Sequence, residues 1–275
     1  MASVLGVDLG GTKALLLLGF QEERVPTGPA FAPADLLAAI RRFLRHEESR
    51  LEALGLAVPG LVDDAGRVVA CDVLPAFTGW NARTALREFT SRVAVMNDVS
   101  AAVAEEMHDA GPSDTAGLVM AGTAVGSAFL TEGHALRGAG GFAGELGYVP
   151  LAIDGQVKRL DDLAGGAALC AKLGVSPEEL SARATAGDKP TLDAIRTAGE
   201  ALGLGLATVI NLFNPSRLGV GGGALELPGY WEAAEAAARL HALPDLMRLC
   251  RLSRVRAGAR VAALGAIRVA GSRRS

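Results

Sequence analysis

The chain has few cysteines, and their spacing is not that of a fold held by disulfides. Among its 275 residues there are three, Cys71, Cys170 and Cys250, and no two of them form a C-x-x-C pair. This number and spacing argue against a disulfide framework and against a structural zinc site. They are typical of a protein that works in a reducing cytoplasm, which is where we expect this one to be found.

Long apolar runs and an excess of basic charge are also missing. No run approaches the ~20 apolar residues that cross a bilayer. No basic segment precedes the first apolar stretch, which Asp8 and Lys13 interrupt, so a signal sequence is not expected. The formal net charge is -3, whereas nucleic-acid phosphates are held by clustered Lys and Arg. We therefore expect neither a membrane nor a nucleic acid as a partner.

What is present near the start is an apolar run, a small polar turn and a second apolar run. The segment reads Val4-Leu-Gly-Val-Asp8-Leu-Gly10-Gly11-Thr12-Lys13 and continues with Ala-Leu-Leu-Leu-Leu. This pattern predicts a β-hairpin whose glycines let the turn backbone approach a phosphate, with the Thr12 hydroxyl and the Lys13 ammonium beside it. Asp8 is placed to hold the water shell of Mg²⁺. A plain glycine turn between two core strands is the alternative.

A second segment of the same kind follows later in the chain. It reads Ala116-Gly-Leu-Val-Met-Ala-Gly122-Thr123-Ala-Val-Gly126-Ser-Ala-Phe-Leu-Thr131. Both segments lead an apolar strand into Gly-Thr or Gly-Gly-Thr and a second apolar strand out of it. Two such units indicate a duplicated fold with two turns that touch phosphate, and chance similarity of two glycine-rich hairpins is the alternative.

Strand patterns alternate with helix patterns along the rest of the chain, which indicates an α/β architecture. The spacing of apolar residues predicts helices over 33–54, 82–90, 99–108, 192–213 and 261–270. It predicts strands over 56–62, 67–70, 92–98, 218–223 and 254–256.

Three further positions carry groups that suit a phosphate-transfer site. Asp98 follows a strand and opens a helix, where a carboxylate serves either as a general base or as an ordinary helix cap. Glu145 lies in a loop of small residues, either to accept two adjacent hydroxyls or as a solvated acid. Gly221–Gly223 end a strand, either to let a ligand lie against the backbone or to form a tight turn.

Four segments in chain order closely resemble the ROK family of sugar kinases, repressors and related proteins. They are the Asp8 hairpin, Asn97-Asp98, the Gly122 turn with Gly141-Phe-Ala-Gly-Glu145-Leu-Gly147, and Gly221-Gly-Gly223. The resemblance spans nearly the whole chain and implies the actin-like ATPase fold. That is a duplicated, ribonuclease H-like fold of two α/β domains with ATP and sugar meeting in the cleft between them. We accordingly expect a small domain over 1–110 with the C-terminal helix, about 261–275, and a large domain over 111–260.

The resemblance also implies roles for individual residues. Asp98 matches the catalytic base of the family, and the implied cofactors are ATP and Mg²⁺, with Asp8 at the metal. The residues implied on the sugar side are Asn97, Pro59, Gly60, Glu145, Tyr148 and Asp161. The residues implied on the ATP side are Asp8, Gly10, Gly11, Thr12, Lys13, Gly122, Thr123, Gly126, Gly221, Gly222 and Gly223.

The sugar side departs from the family pattern. Tyr148 stands where the family has a His that binds both sugar and a structural zinc. The Cys-x-Cys-Gly cluster that normally follows is replaced by Ile153-Asp-Gly-Gln-Val-Lys-Arg-Leu160, so we expect no zinc site. The acid after Leu160 is Asp161, shorter than the usual Glu, and Asp162 competes for the same role.

Together these features predict an ATP-dependent kinase that phosphorylates a hydroxyl of a hexose, an amino sugar or a cyclitol. The alternative is a catalytically inactive, sugar-binding or sensor protein of the ROK type. ROK repressors carry a winged-helix domain before the Asp-x-Gly-Gly-Thr segment, and here seven residues precede Asp8, so we expect no DNA-binding domain. The expected partner is a small sugar or polyol, and a homodimer would be in keeping with the family.

Overall fold

The chain forms two compact units, each built on a five-stranded sheet. The structure is a computed structural model that describes residues 3–46, 51–111, 113–153, 155–255, 258 and 260–272. The first unit consists of Met1–Asp109, Ala135–Ala143 and Ala257–Ser275. The second unit consists of Ala110–His134 and Gly144–Arg256.

The first unit begins with a meander of three antiparallel strands and continues with parallel strands. Its strands are β1 (Val4–Leu9), β2 (Lys13–Leu18), β3 (Gln21–Pro26), β4 (Ala53–Val58), β5 (Leu61–Val62), β6 (Val68–Ala70) and β7 (Val93–Asn97). Its first helices are α1 (Pro33–Phe43), α2 (Ala82–Leu86) and α3 (Asp98–Glu106). The sheet order is β3-β2-β1-β4-β7, and β4 lies parallel to both β1 and β7. Every residue of β4 is buried, as expected for a central strand covered on both faces.

The second unit repeats this order with different helices. Its strands are β8 (Ala116–Ala121), β9 (Val125–Thr131), β10 (His134–Ala135), β11 (Pro150–Ile153), β12 (Gln156–Arg159), β13 (Arg217–Gly221) and β14 (Arg251–Arg254). Its helices are α4 (Asp161–Ala164), α5 (Gly166–Leu173), α6 (Pro177–Thr185), α7 (Lys189–Phe213), α8 (Tyr230–His241) and α9 (Pro244–Leu249). The sheet order is β10-β9-β8-β13-β14, with β13 parallel to both β8 and β14.

The two sheets share one plan, which confirms the predicted α/β fold with an internal duplication. In each unit an antiparallel hairpin supplies the first strands, β1–β2 and β8–β9, and two parallel strands follow on the other side. The predicted turns therefore lie at equivalent places, at the end of the first strand of each sheet.

A last helix, α10 (Val261–Gly271), returns to the first unit and packs against β1, β4 and α3. Glycines permit its close approach. A Cβ built on Gly55 would lie 2.1 Å from the carbonyl oxygen of Ala266, and one on Gly6 would lie 2.3 Å from that of Ala263. Gly265 faces α3 in the same way, with a Cβ position 1.8 Å from the carbonyl oxygen of Ala101. The described residues contain no helix whose length and hydrophobicity would let it span a membrane.

Several predicted element boundaries are wrong. The helix predicted over 33–54 ends at Phe43, and β4 begins at Ala53 because Ala53 and Leu54 pair with Val4 and Leu5 in the sheet. Residues 47–50 of that stretch lie outside the described residues. The apolar spacing of Leu51 and Leu54 continued the helical pattern, but pairing with a distant strand decides their conformation.

Two other boundaries also differ from the prediction. The helix predicted over 82–90 ends at Leu86. The strand predicted over 254–256 lies at Arg251–Arg254, where Leu252 pairs with Leu218 and is buried, and Arg256 lies outside the described residues.

Candidate functional site

In the first unit, the sheet brings three of the predicted polar segments to one edge. Asp8 lies near the end of β1 and pairs with Ala57 of β4. Asn97 ends β7 and pairs with Val58, the last residue of β4, so Pro59 and Gly60 follow at the same edge. Because β1, β4 and β7 are parallel, their carboxyl ends meet here, which is where ligands bind open α/β sheets.

The junction of β7 and α3 is fixed by Asn97, which caps the helix. Its Oδ1 accepts hydrogen bonds from the backbone N–H groups of Val99 (2.9 Å) and Ser100 (3.3 Å). Its Nδ2 donates to the carbonyl oxygen of Gly60 at 3.1 Å. The cap is therefore Asn97 and not Asp98, which was the alternative interpretation of the acid. Asp98 is the first residue of α3, and its Oδ1 accepts from the N–H of Val99 at 2.8 Å.

The two carboxyl groups at this edge hold their protons unusually well. Burial raises the pKa of Asp98 to about 6, although hydrogen bonds from backbone N–H groups and from Asn97 oppose the rise. Burial also raises the pKa of Asp8 to about 6, the Asp98 carboxylate adds to the rise, and the Lys13 ammonium opposes it. Carboxyl groups with such values titrate near neutrality, as a general base does.

The turn between β1 and β2 leaves backbone donors without protein partners. The N–H of Gly10 donates to the carbonyl oxygen of Lys13 at 3.0 Å, which closes the turn. Within the part of the chain that the structure describes, the N–H groups of Gly11 and Thr12 donate to no protein acceptor. The Thr12 and Lys13 side chains are exposed. Two adjacent free amides with a hydroxyl and an ammonium nearby fit a phosphate.

Thr27 holds this turn in place, although nothing in its sequence neighbourhood singled it out. Its Oγ1 donates to the carbonyl oxygen of Gly10 at 2.6 Å, and its N–H donates to that of Thr12 at 3.0 Å. Gly11 packs directly on Val73, since a Cβ on Gly11 would lie 2.2 Å from Val73 Cγ1. The conformation of the turn therefore depends on residues outside it.

Cys71 is a second contributor that sequence reasoning missed. Its thiol donates to the carbonyl oxygen of Pro59 at 3.2 Å, and its N–H donates to Thr78 Oγ1 at 3.1 Å. Burial raises the pKa of this thiol, so it stays protonated and keeps its donor. Gly60 lies against the neighbouring backbone, with a Cβ position 2.3 Å from the carbonyl oxygen of Ala70. These contacts set the position of the Pro59–Gly60 loop.

In the second unit, the turn between β8 and β9 repeats the free amides of the first. The N–H of Gly122 donates to the carbonyl oxygen of Ala124 at 3.0 Å. The N–H groups of Thr123 and Ala124 donate to no acceptor within the described residues. A Cβ on Gly122 would meet nothing within 4 Å, so its outer side is open. Gly126 lies beyond the turn, inside β9 and paired with Met120.

The predicted sugar-side residues of this unit lie on the segments that follow β9 and β12. Glu145 is exposed and precedes a 3-10 turn, Leu146–Tyr148. The ring of Tyr148 is about half exposed, and the guanidinium of Arg159 lies 5.0 Å from its centre. Arg159 also pairs with Asp162 at 3.1 Å. Asp161 instead accepts a hydrogen bond from the N–H of Val125 at 2.6 Å, so the two neighbouring acids have different partners.

The three glycines at the end of β13 have different surroundings: two pack closely on their neighbours and one is open. Gly222 has a φ of 104°, and its Cβ position would lie 2.3 Å from the carbonyl oxygen of Ala121, so this residue forms a tight turn. Gly221 packs on Met120, with a Cβ position 2.9 Å from Met120 Sδ. A Cβ on Gly223 would meet nothing within 4 Å, so it leaves the backbone open to a ligand.

Over the described residues, no group of three or more His, Cys, Asp or Glu side chains is arranged to hold a metal ion. A single partly buried carboxylate beside a turn with free amides, as at Asp8, suits a magnesium ion that takes its other ligands from phosphate and water. A groove of about 970 Å³ lies along α7 and α8, lined in part by Leu192, Leu204 and Leu240, and none of the predicted site residues lines it.

The ROK family sequence profile matches residues 4–272. The chain belongs to the ROK family. This confirms the resemblance stated above and, with it, the actin-like ATPase fold. The crystal structure of a ROK hexokinase from Thermus thermophilus is 30% identical in sequence, covers 96% of each chain and superposes with a TM-score of 0.79.

Curated relatives of this ROK protein include two kinases of amino sugars. A kanosamine kinase from Amycolatopsis mediterranei is 27% identical over 242 residues, which cover 80% of this chain and 80% of the relative. An N-acetyl-D-glucosamine kinase from Vibrio atlanticus is 32% identical over 192 residues, which cover 65% of this chain and 63% of the relative.

Proposed function

We propose that this ROK protein is an ATP-dependent sugar kinase that transfers the γ-phosphate to a hydroxyl of a sugar or sugar-like polyol, with Asp98 as the general base. The observation that carries the proposal is the placement of Asp98. It lies at the carboxyl edge of the sheet, at the start of a helix capped by Asn97, with a pKa raised to about 6. A carboxylate with this pKa is mostly ionised at pH 7 and is still basic enough to accept a hydroxyl proton.

The donor side of the proposal rests on the two turns with free amides. In the first unit, the amides of Gly11 and Thr12, the Thr12 hydroxyl and the Lys13 ammonium would hold phosphate oxygens, in the turn that Gly10 closes. In the second unit, the free amides of Thr123 and Ala124 would do so, in the turn that begins at Gly122, and Gly126 lies in the strand that leaves this turn. Gly223, whose outer side is open, would give adenosine access to the backbone, and Gly221 and Gly222 would hold the turn that presents it.

Magnesium would be held near Asp8 and would neutralise part of the phosphate charge when bound. The buried Asp8 carboxyl gains from such an ion, because its pKa shows that the bare carboxylate is poorly stabilised. The positive charge of the Lys13 ammonium opposes that rise in the pKa of Asp8. The chain itself would therefore contribute the Asp8 carboxyl group, with a pKa of about 6, beside a turn suited to bind anions.

The acceptor is proposed to be a hexose, an amino sugar or a cyclitol. The curated relatives act, by their names, on kanosamine and N-acetyl-D-glucosamine. Asn97, Pro59, Gly60 and Glu145 would contact its hydroxyls, and Tyr148 would offer a phenol where the family has an imidazole. Because a phenol donates and accepts through one oxygen and holds no zinc, the set of accepted sugars is expected to differ from that of the zinc-containing kinases.

Substituting Asp98 by Asn tests the proposal. Asp98→Asn keeps the oxygen that accepts from the N–H of Val99 but cannot take a proton, so turnover is expected to fall about 10²- to 10⁴-fold. Binding of ATP is expected to change little. The assay is release of ADP over a panel of hexoses, amino sugars and cyclitols, with nucleotide binding measured separately by calorimetry.

The matched control is Asp245→Asn, which removes an exposed carboxylate of α9. It should behave as the wild type. An Asp98→Asn variant that keeps near wild-type turnover would contradict the role of the base. If the wild-type protein binds a sugar of the panel but releases no ADP with any of them, the kinase hypothesis is wrong and a sugar-binding sensor takes its place.

A further inference from the structure

Asp161 is implied by family resemblance to bind substrate, yet its side chain is engaged elsewhere. Its Oδ1 accepts a hydrogen bond from the N–H of Val125 at 2.6 Å. Val125 is the first residue of β9 and directly follows the two free amides of the second turn, those of Thr123 and Ala124. The Oδ1 of this carboxylate therefore binds the backbone next to the proposed phosphate site.

The backbone around Asp161 holds the same turn from a second direction. The first N–H groups of α5 donate to it: that of Gly166 to the carbonyl oxygen of Gly122 at 2.8 Å, and that of Ala167 to the carbonyl oxygen of Thr123 at 3.1 Å. Asp161 accepts from the N–H of Gly165 at 3.0 Å through its own carbonyl oxygen, which ties α4 to the start of α5. Two carbonyls of the turn are thereby directed toward the helix.

Glycines at the contact points make this arrangement possible. A Cβ on Gly166 would lie 2.9 Å from the carbonyl oxygen of Gly122, and one on Gly165 would lie 2.8 Å from that of Thr123. A Cβ on Gly147 would lie 2.3 Å from Asp161 Oδ1. Gly147 belongs to the segment that carries Glu145 and Tyr148, so Asp161 touches both that segment and the phosphate turn.

The neighbouring residues fix the direction of the Asp161 side chain. Leu160 is fully buried and its N–H donates to the carbonyl oxygen of Val149 at 3.0 Å. Asp162 points to a different partner, the exposed Arg159. Anchored by Leu160, the chain thus presents one acid to the turn and the next acid to the surface.

From this geometry we propose that Asp161 is a positioning residue for the ATP phosphates, which acts by fixing the Val125 amide and the Gly122–Ala124 turn, and not a sugar ligand. The inference rests on the proposed function, since it names which side of that site the residue serves. By accepting from Val125, Asp161 holds the amides of Thr123 and Ala124 in one orientation. Pre-set donors of this kind avoid the cost of ordering a loop when the anion binds.

The experiment compares Asp161→Ala, Asp161→Asn and, as the matched neighbour, Asp162→Ala. Asp161→Ala removes the acceptor of a charge-assisted hydrogen bond, so the dissociation constant of Mg²⁺–ADP and the KM for ATP are expected to rise roughly tenfold. The KM for the best sugar of the panel should change less than about twofold. Asp161→Asn keeps an acceptor oxygen and should stay near the wild type, as should Asp162→Ala.

Hydrogen exchange gives a readout that does not depend on turnover. The peptide that contains residues 122–127 should exchange faster in Asp161→Ala than in the wild type, and Asp161→Asn should restore its protection. A thermal melt of each variant shows that the fold is retained.

The inference is overturned if both Asp161 variants raise the sugar KM while the affinity for Mg²⁺–ADP and the exchange of residues 122–127 stay unchanged. That result leaves the proposed kinase intact and returns Asp161 to the sugar side. A wild-type protein that binds no Mg²⁺–ADP at all overturns the proposed function and this inference together.

Discussion

At the scale of single residues, the proposed chemistry depends on two carboxyl groups whose pKa values are raised by burial. Asp8 and Asp98 both have a pKa of about 6, and the charge of Asp98 contributes to the shift of Asp8. In each case the charged form is poorly solvated, because the carboxyl group is buried. A bound cation at Asp8 and a hydroxyl that donates a hydrogen bond to Asp98 would stabilise the two carboxylates. The groups that destabilise the site are therefore the ones that would bind its ligands.

Turnover is expected to fall steeply as the pH drops below 6. The base must be ionised to accept a proton, so protonation of Asp98 alone lowers the rate about tenfold per pH unit, and protonation of Asp8 adds to the slope. The measurement is kcat/KM between pH 5 and pH 8 in a buffer series of constant ionic strength. A profile that stays flat down to pH 5 would contradict the raised pKa values.

The stability of the protein should respond to the same groups with the opposite sign. A carboxyl whose folded pKa (about 6) exceeds its ordinary value (3.8) contributes stability below pH 3.8 that is lost as the pH rises through 6. At pH 7.5 the Asp98→Asn variant, which cannot ionise, should therefore be more stable than the wild type by up to about 3 kcal/mol.

Thermal melts at several pH values check this expectation. The difference in Tm between Asp98→Asn and the wild type should shrink as the pH falls from 7.5 toward 4. Asp245→Asn serves as the exposed control and should show no such trend. An Asp98→Asn protein that is less stable than the wild type at pH 7.5 would show that the ionised acid is well solvated.

At the scale of elements, the packing of α10 shows how glycines let backbones meet. Gly6 and Gly55 open the face of the sheet to α10, and Gly265 opens α10 to α3. Since α3 begins at Asp98, the helix that carries the proposed base packs on this contact. The position of Asp98 thus depends on a helix contributed from the far end of the chain.

Gly265→Ala is expected to destabilise the protein by about 1–3 kcal/mol, because the new Cβ would overlap the carbonyl oxygen of Ala101 and force the two helices apart. Gly271→Ala is the control on the same helix. Its Cβ would lie 3.7 Å from Val4 Cγ2, an ordinary contact, so no loss is expected. Urea denaturation of both variants makes the comparison, and equal stabilities would refute the close packing.

Elements also show where local patterns mislead. The helical spacing of 33–54 was correct up to Phe43, because Leu36, Ala39 and Ile40 form one buried face. It failed at Ala53 and Leu54, which pair with Val4 and Leu5. Sequence spacing records which residues are apolar, whereas strand pairing depends on a partner that lies elsewhere in the chain.

At the scale of the whole molecule, one sheet plan is used twice. Both sheets begin with an antiparallel hairpin whose turn has two unpaired amides, Gly11 and Thr12 in one and Thr123 and Ala124 in the other, among the residues that the structure describes. The supports differ. A threonine side chain holds the first turn, and a carboxylate with a helix N-terminus holds the second.

Two chelators should distinguish a requirement for magnesium in turnover from a structural zinc site. With a zinc-selective chelator the Tm is expected to move by less than about 1 °C, whereas loss of a structural site worth even 1 kcal/mol would lower it by about 2–4 °C. A general chelator should abolish turnover, and added Mg²⁺ should restore it. A clear fall in Tm with the zinc-selective chelator would contradict the expected loss of the zinc site.

By itself, the sequence carried the resemblance to the ROK family in its motifs. It also determined the duplicated α/β plan and the positions of the hairpin turns. These follow from short-range patterns, namely apolar alternation, paired glycines and a strand that ends in polar residues, which need no distant partner to be recognised. The chemical state and partners of the site residues were decided by the tertiary structure. That Asn97 and not Asp98 caps α3, that Asp8 and Asp98 titrate near 6, and that Asp161 binds Val125 all depend on burial and on groups far away in the chain. Solvation and hydrogen bonding are set by what surrounds a side chain, and only folding brings those surroundings together.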